Sequence, residues 1–310
     1  MGAYILRRLL QTVPTVLGVA LLTFLLFNAF GPDPVRTALG NHASPQAIAN
    51  LRRQWGLDQS PAWQLLDFLR QIVTFDFGRS FVSGEDLGLQ LKSGALVSLS
   101  VTAPPFIVGG IVNVAIALFI ARFREGLVDK AARALFIAAM SVSALVYVLT
   151  LQYLLAFKLG WFPISGYQPG LAAVSYLALP WLIQMLLLMG PDIRVYRTLF
   201  LDEINADYVR TARSKGAGEG RVMFRHVLPN AWVPIITLNV TTIPFLLLGS
   251  FLMERFFSIP GIGSLTIDAL SRGDLPVLKA VTVLGAIALV LFNLLSDLLY
   301  AWADPRLRLA

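Results

Sequence analysis

The residues with the types and spacing for chemistry lie between Asp202 and Pro229. Asp202, Glu203, Asn205 and Asp207 come first, Arg210, Arg213 and Lys215 follow, and Gly216 closes the run. Acids at the start, bases at the end and a terminal glycine predict a short helix capped at both ends and aligned with its dipole. Ile204, Tyr208 and Ala212 fall at i, i+4 and i+8, which gives that helix one narrow apolar stripe. The stripe needs something to bury against: its own neighbours, a lipid surface or a partner. Groups that handle nucleotides or metals are missing. No G-x-x-x-x-G-K-[ST] occurs, Gly216-Ala217-Gly218-Glu219-Gly220 follows a helix and lacks the Lys-Ser/Thr ending, and Gly261-Ile262-Gly263 reads as a turn. There is no cysteine, and the histidines are His42 and His226, so disulfides, thiolate sites and a histidine-rich metal site are excluded. H-E-x-x-H and G-x-S-x-G are absent too. The expectation is a chain with no catalytic residues, no metal and no cofactor of its own.

A second set of polar residues lies in apolar surroundings. Asp192 follows Gly190-Pro191, where kinked backbone could line a cavity. The plainer reading pairs Asp192 with Arg194 or Arg197 at the membrane surface. Asp297 is similarly placed near the end of an apolar run. Asn113, Gln152, Gln184 and Asn239 are candidates for helix contacts, the favoured role, or for a substrate path.

The elements that must position these residues follow from composition. Of 310 residues, 56% are hydrophobic and 14% charged, against about 25% charged in soluble domains. Mean hydropathy is +0.70. A soluble two-domain enzyme, a disordered chain and a collagen-like fibre are excluded, which leaves an all-α polytopic membrane protein. The net charge of +7 then reflects Lys and Arg held in cytoplasmic loops rather than a nucleic-acid partner. Six stretches approach the roughly 20 apolar residues that a span needs: 9–30, 97–121, 134–157, 173–197, 231–253 and 279–301. The fourth has two readings: hydropathy alone favours about 171–190, and the alternative puts Pro180 in a helix's first turn with Gly190-Pro191 as a kink inside it. The first is a retained anchor, because the run after Arg7-Arg8 is too long for a signal peptide and ends in Gly31-Pro32-Asp33-Pro34.

Placing the N-terminus inside gathers Arg7 and Arg8, the Arg122–Arg133 cluster, the Arg194–Arg225 cluster, and Arg306 and Arg308 on one side. The short outside loops then hold Lys158, Arg255, Arg272 and Lys279. Both termini are therefore expected in the cytoplasm. The expected organisation is residues 1–30 as N-terminus and first span, 31–96 as a periplasmic region, and 97–310 as a five-helix transmembrane core with a cytoplasmic loop at about 198–230. Region 31–96 shows helical periodicity around Ile48–Trp55 and Trp63–Ile72 and is far longer than an ordinary connection. It is either a lid on the helix ends or a docking element.

Within the cytoplasmic loop, Arg210-Thr211-Ala212, then three residues, Gly216, nine residues and His226-Val227-Leu228-Pro229 resembles the EAA loop of ABC-importer permeases. Asp207-Tyr208-Val209-Arg210-Thr211-Ala212-Arg213-Ser214-Lys215-Gly216 is similar to the form in the dipeptide/oligopeptide/nickel branch, where Arg stands in the place of the general Glu. Glu254, Phe257, Pro260-Gly261, Gly263 and Leu265, followed by Asp274 and Pro276, resemble the branch's E-x-x-F-x-x-P-G-x-G-x-L stretch. Asp297-Leu298-Leu299-Tyr300 with Asp304-Pro305-Arg306, and the opening Leu6-Arg7-Arg8-Leu9 with Asp33-Pro34-Val35, resemble its two ends. In the third span Ser141-Val142-Ser143-Ala144-Leu145 departs from the S-x-P-x-F of relatives.

The resemblance implies a six-helix permease of the type I importer fold, in the bacterial inner membrane, carrying di- or oligopeptides. Nickel or another chelated metal is the alternative cargo, and an ion-coupled secondary transporter the alternative class. It also implies a second homologous permease, two cytoplasmic ATPases that bind ATP and Mg, and a periplasmic or lipid-anchored substrate-binding protein, all within membrane lipid. Asp207, Tyr208, Arg210, Thr211, Ala212, Arg213, Lys215, Gly216, Leu228 and Pro229 would form the ATPase-coupling loop, and Ser141, Ser143, Asp192 and Asn239 the substrate path. Glu254, Phe257, Pro260, Gly261 and Gly263 would form a periplasmic family motif.

Overall fold

A computed structural model describes the backbone of residues 2–31, 33–40 and 43–303, and the side chains of 13–28, 31, 33–37, 39–40 and 43–294. His42 and Asp304-Pro305-Arg306 lie outside the described residues, as do the side chains of Arg7, Arg8, Asp297 and Tyr300. The first helix, α1 (Gly2–Leu25), runs on through a π-helical turn at Leu26–Phe30. Proline then opens three short helices: α2 (Pro34–Leu39), α3 (Pro45–Gln54) and α4 (Pro61–Thr74). Each is preceded by an N-cap side chain, Asp33, Ser44 or Ser60, which accepts a first-turn N–H. Proline suits the first helical position because its missing N–H would be unbonded there anyway.

Next come α5 (Leu87–Arg122), which Asp86 caps, and α6 (Leu127–Met140). After Ser141–Ser143 the chain turns by 90° into α7 (Ala144–Leu151) and its π-helical extension to Lys158. The long α8 (Ala173–Ile204) leads to α9 (Asp207–Ser214) and α10 (Glu219–Val222). The expected fifth span is broken into α11 (Leu228–Val240), α12 (Ile243–Leu248) and α13 (Phe251–Phe256), with Gly249 at φ +75 between the last two. The described chain closes with α14 (Ile262–Arg272) and α15 (Leu275–Ala303).

The architecture is all-α, as the composition requires. Among the described residues, four helical stretches are long and apolar enough to cross a membrane on their own: Leu87–Arg122, Gly170–Ile204, Glu219–Phe256 and Leu275–Leu294. The bent pair α6–α7 makes a fifth if it counts as one span, and Val13–Asn28 is a shorter apolar helix. The helix in the expected fourth span extends beyond residue 197 to Ile204. It begins at Ala173, so Pro180 lies two turns inside it rather than in the first turn. At Gly190 α6 approaches closely: a Cβ there would lie 2.6 Å from Met140 Cγ and 3.3 Å from the Phe136 carbonyl oxygen.

The central seam joins α5 to α8. Pro104 and Pro105 interrupt α5, and a helical proline leaves the carbonyl four residues earlier without its donor. Those carbonyls belong to Ser100 and Val101. Trp181 Nε1 donates to the Ser100 oxygen at 2.9 Å, and Gln184 Nε2 to the Val101 oxygen at 3.2 Å, both from α8. In hydrocarbon no water can do this work.

Three apolar clusters flank the seam. Phe24, Phe68, Phe77, Leu87 and Leu278 tie α1 and α4 to the starts of α5 and α15. Val101, Val148, Leu177, Met253 and Phe257 join α5, α7, α8 and α13. Leu118, Phe200, Ile204, Val209 and Val227 close the end of the bundle that carries α9. α5, about 54 Å long at 1.5 Å per residue, has its start in the first cluster and its end in the last.

Trp181→Phe and Gln184→Leu should each cost about 0.6–2 kcal/mol, the range for interhelical hydrogen bonds in membranes. Thermal unfolding of the detergent-purified protein checks this. Wild-type stability in both variants would remove the seam from the account.

Candidate functional site

The charged run is divided differently from the single helix expected. Asp202 and Glu203 belong to the last turn of α8, and Asn205 caps the end of that helix while accepting from Arg124 Nη1 at 2.6 Å. α9 begins only at Asp207, after Ala206, which offers no capping side chain. The buried stripe is also shifted: Val209 and Ala212 are buried beside Ile204, whereas Tyr208 is 39% exposed. The cause is the break at Asn205–Ala206, which resets the helical phase that placed Ile204 and Tyr208 on one face. Val209 packs with Val222, Met223 and Val227, so the loop supplies its own partner for the stripe.

The C-terminal end of α9 follows the expectation closely. Gly216 stands at φ +80, its N–H donates to the Arg213 carbonyl at 2.9 Å, and the Ala217 N–H reaches back to the Ala212 carbonyl at 3.1 Å. This is a Schellman closure, whose left-handed residue favours glycine. A Cβ at Gly216 would meet nothing within 4 Å, so within this chain the requirement is conformational and the space beyond stays open. Arg213 forms a two-point ion pair with Glu219 at 2.9 and 3.2 Å. Arg210, Thr211, Ser214 and Lys215 are exposed, as is Phe224 at 68%. The Tyr208 hydroxyl donates to the Glu203 carboxylate. Burial, reinforced by that carboxylate, pushes the phenol up to about 12, so it stays a neutral donor at physiological pH. Leu228 and Pro229 open α11 at the loop's far end.

Glu254, Gly261 and Gly263 form a second constellation. Glu254 is fully buried, and no cation pairs with it among the described residues. Its Oε1 accepts from the Ser98 hydroxyl at 2.7 Å and its Oε2 from the Ser264 N–H at 3.0 Å, with the Gly263 N–H also donating. The same Ser98 oxygen accepts from the Ile262 N–H at 2.8 Å. The first three N–H groups of α14, which no helix can satisfy from within, are therefore met by one carboxylate from α13 and one hydroxyl from α5. The glycines make room: a Cβ at Gly249, Gly261 or Gly263 would lie 2.0, 2.3 or 2.9 Å from a Glu254 oxygen. Phe257 is buried in the cluster with Val101, Val148 and Leu177, and Pro260 precedes the cap. Asp274 is buried as well, accepting from the Ser80 hydroxyl and from the Phe81 N–H at 3.1 Å.

Residues 113–309 match the family model described as binding-protein-dependent transport system inner membrane component, and residues 1–88 match the model of its N-terminal part. The chain belongs to this permease family. A putative peptide transport system permease protein of Brucella abortus (strain 2308) is 34% identical over 312 residues, covering 99% of both chains. A glutathione transport system permease protein of Salmonella choleraesuis is 33% identical over 305 residues, covering 98% of both. A third relative, the putative peptide transport system permease protein of Brucella suis biovar 1 (strain 1330), is 34% identical over 310 residues and 99% of both chains.

The intramembrane polar residues of this permease sort into two groups. Asp192 does not pair with Arg194 or Arg197. Its carboxylate accepts from Asn113 Nδ2 at 2.9 Å, and Arg197 turns to Asp129, which it grips at 2.6 and 2.8 Å. One turn along α8 from Asp192, the Tyr196 hydroxyl exchanges hydrogen bonds with the Asn239 side chain at 2.9 and 3.2 Å. Asp192 and Asn239 thus stand in one polar row across α5, α8 and α11. Ser141 and Ser143 are elsewhere, exposed at the α6–α7 bend, where the Ser141 hydroxyl donates to the Ile137 carbonyl at 2.9 Å. Gln184 is a helix contact, donating to the Val101 carbonyl at 3.2 Å, whereas Gln152 donates to the Ile164 carbonyl in the connection before α8 at 2.8 Å and more weakly to the Phe256 carbonyl of α13 at 3.4 Å.

Sequence reasoning missed Ser98, Tyr196 and the Asp129–Arg197 pair. Asp129 carries a signal in hindsight: it is an acid in the first turn of a helix and fully buried. Ser98 has none, being one of several serines in an apolar run.

Gly261→Ala should lower stability by about 1–3 kcal/mol, the usual cost of overpacking, because Glu254 is walled in by the other two glycines. Gly218→Ala, where a Cβ meets open space, should be close to neutral. Unfolding midpoints in detergent compare the two, and equal effects would contradict the cap geometry.

Proposed function

We propose that this permease carries di- or oligopeptides into the bacterial cytoplasm as one membrane subunit of an ATP-driven importer. Both termini and the 198–230 loop face the cytoplasm in this reading, and the first 30 residues and the 97–310 core together supply six spans. A second, homologous permease completes the path. Two ATPase chains bind and hydrolyse ATP with Mg, and a substrate-binding protein delivers cargo on the opposite side. The peptide class rests on what the relatives are named for, peptide and glutathione transport.

The observation that carries the coupling role is α9, whose apolar side is satisfied by its own chain. Its outer side, from Tyr208 through Arg210, Thr211 and Lys215 to the bare Gly216 turn, is left uncovered. A short, rigid, basic helix held by a buried stripe is suited to fit a groove on an acidic partner. Movement of the two ATPases would then draw this helix and its counterpart together, rocking the bundle between inward- and outward-open states. Asp192 and Asn239 would line the path at the height of Tyr196. Ser141 and Ser143 would line it at the bend, where both side chains are exposed at the 90° break.

Region 31–96 would serve as a docking element as well as a lid. Phe68 and Ile72 on one side of α4 are buried against the bundle, while Trp63, Leu66 and Val73 on the other side are 58, 56 and 80% exposed. An apolar stripe of this kind calls for a partner.

Gly216→Asp should leave expression normal, because aspartate tolerates left-handed backbone better than most residues. It should still cut peptide uptake by about tenfold or more, the loss of roughly 1.4 kcal/mol of contact energy. Normal uptake by this variant would end the coupling proposal. For the docking face, the Trp63→Glu, Val73→Glu double variant is expected to abolish uptake. ATP hydrolysis by the assembled complex without binding protein should stay unchanged. Purification of the complex from native membranes, with mass spectrometry of the associated chains, tests the assembly. A stable preparation of this chain alone would favour an ion-coupled transporter.

A further inference from the structure

A groove of about 350 Å³ opens between α6 and α8, with Ile120 of α5 among its lining residues. Phe136, Met140 and Ile193 make its walls apolar, and Arg133 and Arg194 also line it. One limit is the close approach of Gly190 to Met140, and the other is the ion pair from Arg197 to Asp129.

The charges in this groove do not balance. Asp129, buried, is spent on Arg197 through two hydrogen bonds. Arg133 reaches the same carboxylate only at 3.5 Å and is half exposed. Arg194 is exposed, and no carboxylate lies within ion-pair distance of it among the described residues. Two guanidiniums thus share one carboxylate and a third has none, beside an apolar trough in the stretch where α8 is long and apolar enough to span a membrane.

We propose that this groove is a binding site for an anionic phospholipid, with its phosphate held by Arg133 and Arg194 and an acyl chain laid against Phe136 and Ile193. A guanidinium at the edge of the hydrocarbon needs an anionic partner, and basic pockets between spans are suited to acidic headgroups. The trough separates this occupant from a free phosphate, which has no use for apolar walls. The surplus of positive charge separates it from an ordinary packed helix. The inference requires only that the chain spans a membrane, so it stands apart from the peptide reading. A lipid seated here would wedge α6 and α8 apart below their contact at Gly190 and so bear on how the α9 end of the bundle moves.

The test uses the assembled transporter in mild detergent, supplied with equal amounts of phosphatidylglycerol and phosphatidylcholine and weighed by native mass spectrometry. The wild type should retain phosphatidylglycerol about thirtyfold more than phosphatidylcholine, in line with two arginines at a membrane surface. Arg133→Gln with Arg194→Gln should lose that preference, and Arg210→Gln with Lys215→Gln, on the exposed face of α9, should keep it. Phe136→Trp, which narrows the trough without touching charge, should also reduce the retained phosphatidylglycerol. Equal retention of the two lipids, an unchanged preference in the arginine variant, or displacement by inorganic phosphate would each overturn the proposal. So would full retention in Phe136→Trp.

Discussion

The bonding of two carbonyls in α5 sets the arrangement of the bundle. Pro104 and Pro105 remove the donors that Ser100 and Val101 would have had within the helix, at a depth where water cannot replace them. Trp181 and Gln184 supply donors from α8, and in doing so they fix where α8 lies along α5. Every other helix of the described core packs on that pair or on something that does. The same register brings Asp192 opposite Asn113, leaves Tyr196 facing Asn239, and carries Ile204 to the place where Val209 and Val227 can close over it.

Charge is handled by a consistent rule at three places: a buried carboxylate is given a fixed set of donors rather than water. Asp129 takes a two-point guanidinium from a helix 68 residues on. Glu254 takes hydroxyl and backbone donors and becomes the cap of α14. Asp274 holds the turn at Ser80 and Phe81 against the α14–α15 corner. In each case the carboxylate joins segments distant in the chain, so it works as a staple with directional bonds.

The 198–230 loop and region 31–96 share a physical plan. α9 buries Val209 and Ala212 and presents Arg210, Thr211 and Lys215; α4 buries Phe68 and Ile72 and presents Trp63, Leu66 and Val73. Each is anchored on one side and free on the other, which is the condition for receiving a partner without first folding on it. The partners proposed for them differ in kind because the free faces do, one basic and the other apolar.

What was legible in the sequence is what depends on local pattern. Hydropathy and scarce charge determined an all-α membrane protein, because a backbone in hydrocarbon must bond within its own helix. The run ending in Lys215 and Gly216 determined where α9 stops, because only glycine readily takes the left-handed closure. Motif spacing pointed to the permease family. The tertiary structure decided what depends on two helices meeting. Arg197 chose Asp129 over the nearer Asp192, Ser98 became half of a helix cap, and the break at Asn205 turned Tyr208 outward. No local signal marks such pairings, because the partners are tens of residues apart and are brought together by the packing angles of whole helices. Those angles are set by the fit of side-chain ridges and by bonds such as those to Ser100 and Val101.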